Sequence, residues 1–236
     1  MYGYGGYGGY SPGLLFLLPA ILITLYAQTR VRSAYTKYAQ VANSLRITGA
    51  QVAETIIRRN GLGINIQAVQ GSLTDNYNPQ TGILSLSSAV YSQPSIASIA
   101  IAAHECGHAM QHAEGYALLN LRNNLVPVTN IASSLSWPIL ILGLMAGNGG
   151  DFLFNIGVTL FMVVVLFHLV TLPVELDASK RAMVMLQDYG LISSDQSEIS
   201  AAREVLNAAA LTYVGSLVMS IANLLRILSL RGGNRR

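Results

Sequence analysis

Three of the four histidines of this 236-residue chain fall within nine positions, in "AIAAHECGHAMQHAEGY" (100–116). His104-Glu105-Cys106-Gly107-His108 has the H-E-x-x-H spacing, and on a helix that spacing has a defined chemistry. His104 and His108, at i and i+4, project from one face and can bind one Zn²⁺ at about 2.0–2.1 Å. Glu105, beside the first histidine, can reach a water on that metal and remove its proton, because zinc brings the water's pKa toward ~7. Cys106 lies roughly 200° round the helix from His104 and points away. Gly107 lets another element, such as an edge strand, approach closely.

A catalytic zinc usually has three protein ligands and one open position. The candidates for the third are His112, His168, Glu114, Glu175 and Asp177. His112 continues the i+4 series, but it sits a further turn along the helix, about 6 Å on. That distance suits a solvent-facing or supporting histidine better than a ligand. His168 falls inside an apolar run, where a polar side chain is either functional or hydrogen-bonded within a bundle. Choosing among the five requires knowing where the apolar runs carry the chain.

Only 11% of residues are charged and 52% are hydrophobic, with a mean hydropathy of +0.44. Average soluble domains carry roughly a quarter charged residues, so the composition is that of a membrane protein. Four runs approach the ~20 apolar residues that a span needs. They lie at 13–29, 128–147, 152–173 and 205–228, the last either spanning or re-entrant. No basic region precedes the first run and Pro19 interrupts it, so it reads as an uncleaved anchor. The Gly/Tyr leader (1–12) is low-complexity and expected to be disordered, and a basic tail occupies 229–236. A net charge of +3 without an internal basic block argues against nucleic acid. One cysteine excludes an internal disulfide framework.

Between the first two runs, residues 30–122 read as a compact catalytic domain at the membrane surface. A mixed basic and apolar helical stretch (30–46) is followed by a helix with a Thr48/Gln51 capping box and Gly61 after its end. "INIQAVQ" alternates as a half-buried strand should. "LTDNY" and "ILSLSS" flank the turn composition "NPQTG", a hairpin pattern, and Pro94 marks the start of the motif helix. The expected fold is therefore mainly α and integral to the membrane. It has about four transmembrane helices and a zincin-like α+β catalytic domain with a small sheet.

Topology then selects the third ligand. Two spans with a short connection, "GNGGD", separate His108 from Glu175, so the chain returns to the same membrane face. The segment 174–204 thus shares a side with 30–122, and Glu175 can meet the two histidines at the bilayer surface. That completes a His₂Glu set, leaving Asp177 to orient a ligand or Arg181. Asp195 and Glu198 form a capping-box pattern leading into the last run.

"HECGHAMQHAEGY", the preceding "LTDNYNPQTGILSLSSAVYSQPSIASIAIAA" and the later "LPVELDASKRA" together resemble the YugP-like neutral zinc membrane metallopeptidases. That family is similar in layout to the HtpX-like heat-shock membrane peptidases. The resemblance covers most of 30–206. It implies His104, His108 and Glu175 as ligands and Glu105 as general base. In the HtpX-like group an Asp follows the downstream Glu by four residues, and Ser179 stands there in this chain. The resemblance also implies that "ILSLSS" is an edge strand able to pair with an extended substrate.

The sequence thus predicts a membrane metalloendopeptidase of the gluzincin type holding one Zn²⁺ per chain. Its substrate is a protein or peptide bound extended at an edge strand. The alternative is a non-catalytic zinc-containing scaffold that binds a partner through that strand. Arg181, His112 and Tyr91 are the candidates for oxyanion stabilisation or substrate contact. A membrane-protein partner or a second copy of the chain is compatible with this pattern. Basic residues at 30, 32, 37, 46, 58, 59, 180, 181 and 203 all fall on the catalytic side. The positive-inside rule places that side in the cytoplasm of a bacterial plasma membrane, with the N-terminus outside.

Overall fold

The computed structural model describes residues 12–232. The leader up to residue 11 and the last four residues of the basic tail lie outside the described residues. Four helices are long and apolar enough to cross a membrane: α1 (Pro12–Ala39), α5 (Ala117–Met145), α6 (Asp151–Asp188) and α7 (Gln196–Gly232). Between α1 and α5 the chain forms α2 (Gly49–Arg59), β1 (Asn65–Val69), β2 (Asn76–Asn78), β3 (Ile83–Ser87), α3 (Ser88–Ser92) and α4 (Ile96–Ala113). The fold is mainly helical with one small sheet.

Helix α1 runs unbroken to Ala39, so the stretch expected as a separate surface helix at 30–46 is largely its continuation beyond the apolar part. The connecting segment then ties the end of α1 to the start of α4. Asn43 N–H donates to Pro94 O at 2.9 Å, and Ile96 N–H donates to Val41 O at 2.9 Å. Helix α2 begins with the reciprocal Thr48–Gln51 capping box. The pattern at Asp195 and Glu198 is only half used. Asp195 caps α7 through Ser197 N–H, whereas Glu198 turns away to bind the backbone and hydroxyl of Ser44.

The sheet order is β1-β3-β2, with β1 parallel and β2 antiparallel to β3. "ILSLSS" is therefore not an edge strand, because β3 carries a neighbour on each side. Its burial explains the position: Leu84 and Leu86 on one face and Ser85 and Ser87 on the other are all buried. Strand β1 has no buried residue, only exposed and half-buried ones, as suits an edge. The free edges belong to β1 and β2.

Helix α4 lies at the centre of the domain. Ile99, Ala100, Ala102, Ala103 and Cys106 have no solvent exposure and join side chains of α2, β3, α6 and α7 in one core. A fully buried aliphatic side chain contributes about 1.5–3 kcal/mol, so this core anchors α4 firmly. The many alanines let neighbouring backbones come close. Below the domain, α5 and α6 form a tight hairpin through a single 3-10 turn (Gly147–Gly149). A Cβ at Gly143 would lie 2.5 Å from Phe154 N, so a side chain there would push the two helices apart. Helix α7 continues unbroken to Gly232 over the described residues.

Candidate metal centre and active site

His104, Glu105 and His108 stand on α4, two turns before its C-terminus. Glu175 stands on α6, two residues after Pro173. The approach of these helices depends on Gly107. A Cβ on that residue would lie 2.5 Å from Ala178 O, so only glycine lets the α6 backbone rest on α4. The close approach foreseen at Gly107 is thus made by a helix rather than by a strand.

This contact brings one carboxylate oxygen to both imidazoles. Glu175 Oε2 lies 3.3 Å from His104 Nε2 and 3.4 Å from His108 Nε2. Two metal bonds of about 2.0–2.1 Å meeting at the tetrahedral angle put their ends about 3.3 Å apart. The three ligand atoms all lie within 4.8 Å of one another. Glu175 is 1% exposed. The donor set, two imidazole nitrogens and one carboxylate oxygen, suits zinc, and its spacing fits the ion.

The opposite ring nitrogens are fixed from behind. Gln111 Nε2 donates to Val174 O at 2.8 Å and to Asp177 Oδ2 at 2.9 Å, which settles the orientation of its amide. Gln111 Oε1 therefore accepts from His108 Nδ1–H at 3.0 Å and leaves Nε2 of that ring bare. Ser179 Oγ lies 3.1 Å from His104 Nδ1, within hydrogen-bond reach of the first histidine from behind. Asp177 in turn accepts from Arg181 Nε at 2.6 Å, and Arg181 also reaches Glu114 at 2.6 Å. Asp177 thus touches Gln111 and Arg181 rather than a histidine.

Glu105 is buried and lines the same cleft of about 160 Å³ as the three ligand candidates. Burial pushes its carboxyl above the usual carboxylate range, opposed by the nearby His104 and His108. On His108, burial acts downward but is outweighed by Glu175 and Glu105, which raise its proton affinity. The pocket favours a positive charge where the ligand atoms converge. Cys106 points into the apolar core, where burial pushes its thiol up and keeps it inert.

The far wall of the cleft comes from residues the sequence did not single out. Asp75, Asn76 and Tyr77 line it from the β2 segment, Leu119, Arg122 and Asn123 from α5, and Tyr213 from α7. Asp75 accepts from Ser87 N–H at 2.7 Å and so fastens β2 to the end of β3. Its carboxyl is raised by burial, although the Ser87 donors oppose this. Arg122 Nη2 lies 3.6 Å from Glu175 Oε1, the oxygen turned away from the histidines.

The residues expected to stabilise an oxyanion lie elsewhere. His112 Nδ1 is 2.9 Å from Tyr77 OH, so it clamps β2 to α4 one turn beyond the ligands. Arg181 is engaged by Glu114 and Asp177 on the outer side of α4 and α6. Tyr91, on α3, is exposed and outside the cleft lining. His168 packs against Phe167 inside α6, about two turns from Glu175.

Residues 13–232 match the family described as "Putative neutral zinc metallopeptidase". The chain belongs to this family. It is also 40% identical over 214 residues to the "Putative membrane protease YugP" of Bacillus subtilis (strain 168), covering 90% of this chain and 93% of that protein. No solved structure matches. The chain is thus a member of a zinc metallopeptidase family and a homologue of a membrane protease, and it carries four apolar helices of spanning length among the described residues.

Proposed function

We propose that the protein is a gluzincin-type endopeptidase with a zincin-like catalytic domain, holding one zinc ion through His104, His108 and Glu175. The convergence of these three side chains in a cleft that also contains Glu105 carries the reading. Bound zinc supplies a water acidic enough to lose its proton at neutral pH and a Lewis acid for the scissile carbonyl. Glu105 takes the proton of that water and delivers it to the departing amine. Gln111 and Ser179 hold the imidazoles in the tautomer that leaves Nε2 available.

The substrate runs extended along the free edge of β2, whose Asn76 and Tyr77 line the cleft. Main-chain hydrogen bonds to a strand edge bind peptides with little sequence demand. Cleavage takes place just outside the bilayer, because Glu175 follows directly on the apolar part of α6. Membrane proteins and chains lying on the membrane are therefore the substrate class. The basic residues on the catalytic side support a cytoplasmic position at a bacterial plasma membrane.

The test uses the full chain in detergent or nanodiscs with a mixture of internally quenched peptides. Cleavage is expected to stop on chelation, to return with one equivalent of zinc, and to be lost in Glu105→Gln with zinc still bound. A Glu105→Gln protein that cleaves normally sinks this reading and favours a zinc-containing scaffold that only binds partners.

A further inference from the structure

Among the residues that line the cleft, the carboxylates of Asp75, Glu105 and Glu175 face a single permanent cation, Arg122. That guanidinium is also under-used. It makes no hydrogen bond to any described residue, and its Nη2 stands 3.6 Å from Glu175 Oε1 in an ion pair. Its Nε–H is buried with no partner. A buried donor without an acceptor is costly, and a guanidinium offers five donors in a fixed fork. Such a group in a catalytic cleft is suited to an acceptor that arrives with the ligand.

We propose that Arg122 is a catalytic residue that donates to the oxygen of the scissile carbonyl as that oxygen becomes an anion, which rests on the peptidase reading above. Hydrolysis creates one new negative charge in this cleft. The oxygen of water bonds to the carbonyl carbon, the π pair of C=O moves to the carbonyl oxygen, and the water proton goes to Glu105. The carbonyl then re-forms, the C–N bond breaks, and the amine nitrogen leaves with the proton from Glu105. The tetrahedral stage places on the carbonyl oxygen an anion that bound substrate lacks, so the donors of Arg122 act on the transition state more than on bound substrate.

The geometry supports this placement. Glu175 turns Oε2 to the histidines and Oε1 to Arg122, so the guanidinium lies one carboxylate width from the ligand atoms. Arg122 stands on the second turn of α5, on the wall facing β2, and the extended substrate lies between the two. Tyr213 lines the same cleft from the side of α7.

The experiment compares wild type, Arg122→Ala, Arg122→Lys and Tyr213→Phe as full chains loaded with zinc. Arg122→Ala is expected to lower kcat by ~10²–10³-fold, the usual loss of an oxyanion donor, with KM within about threefold. A phosphinic analogue of the best-cleaved peptide, titrated by calorimetry, should lose affinity by the same factor. Zinc content should stay at one per chain. Arg122→Lys should recover about tenfold, since a point charge replaces a fork. Zinc loss in proportion to activity would show that Arg122 merely holds Glu175, and overturns the proposal. A KM rise confined to peptides with a free C-terminus would make Arg122 a carboxylate anchor, and also overturns it. Full activity of Arg122→Ala with Glu105→Gln inactive removes this inference alone. Activity in Glu105→Gln removes the peptidase reading beneath it.

Discussion

On the α6 side of His104 and His108, Gln111, Ser179 and Asp177 all have hydrogen-bond partners, whereas on the cleft side Arg122 Nε has none. The first flank is finished without a ligand. Gln111 spends both amide protons and its oxygen on three separate partners. The second keeps donor capacity in reserve beside a set of carboxylates. The difference separates what holds the metal ligands from what meets substrate, and variants on the two flanks should fail in different ways.

The largest effect is expected from the cleft flank. Glu105→Gln should lower kcat by ~10²–10⁴-fold, the span of a lost general base, with zinc retained by elemental analysis. On the supporting flank, Gln111→Leu removes the acceptor of His108 Nδ1–H and the donor to Val174 O. Zinc affinity, measured by competition with a chelating dye, should fall by ~10–100-fold, and activity should recover at saturating zinc. A kcat that stays low at saturating zinc would break the division between flanks. Ser179→Ala should act in the same direction near the lower end of that range, about tenfold, because one hydroxyl is lost and a small side chain remains. The smallest effect belongs to the outermost pair. Glu114→Ala breaks a half-exposed contact to Arg181 and should change unfolding free energy by less than about 1 kcal/mol in a urea titration, leaving zinc affinity within threefold.

Much of the supporting flank had a signal in the sequence that spacing rules can reach. The H-E-x-x-H spacing carries its own geometry on a helix, and counting two crossings returns the chain to the side of Glu175. Gln111 follows His108 by three residues, the same helix face, in a stretch otherwise rich in alanine. His112, next to it, has the more familiar ligand chemistry, and spacing alone does not rank the two. The cleft flank was hidden for a different reason. Arg122 and Tyr213 sit on separate helices far apart in the chain, and no local period links them to the motif. Arg181, His112 and Tyr91 had suitable chemistry but are held elsewhere by Asp177, by Tyr77 and by the exposed surface of α3. The strand error has the same origin. Alternation marks a strand but does not say which strand others pair with, and the parallel β1–β3 pairing crosses a connection that contains β2.

The separation of the ligand candidates on two sides of the α5–α6 hairpin also sets an order of events. During synthesis the two histidines emerge 67 residues before Glu175, and α6 can settle on Gly107 only after the hairpin has entered the bilayer and doubled back. A chain that is still being made, or that fails to insert, carries half a centre and no means of hydrolysis. On the proposed function, insertion itself is the step that brings the two halves of the centre together.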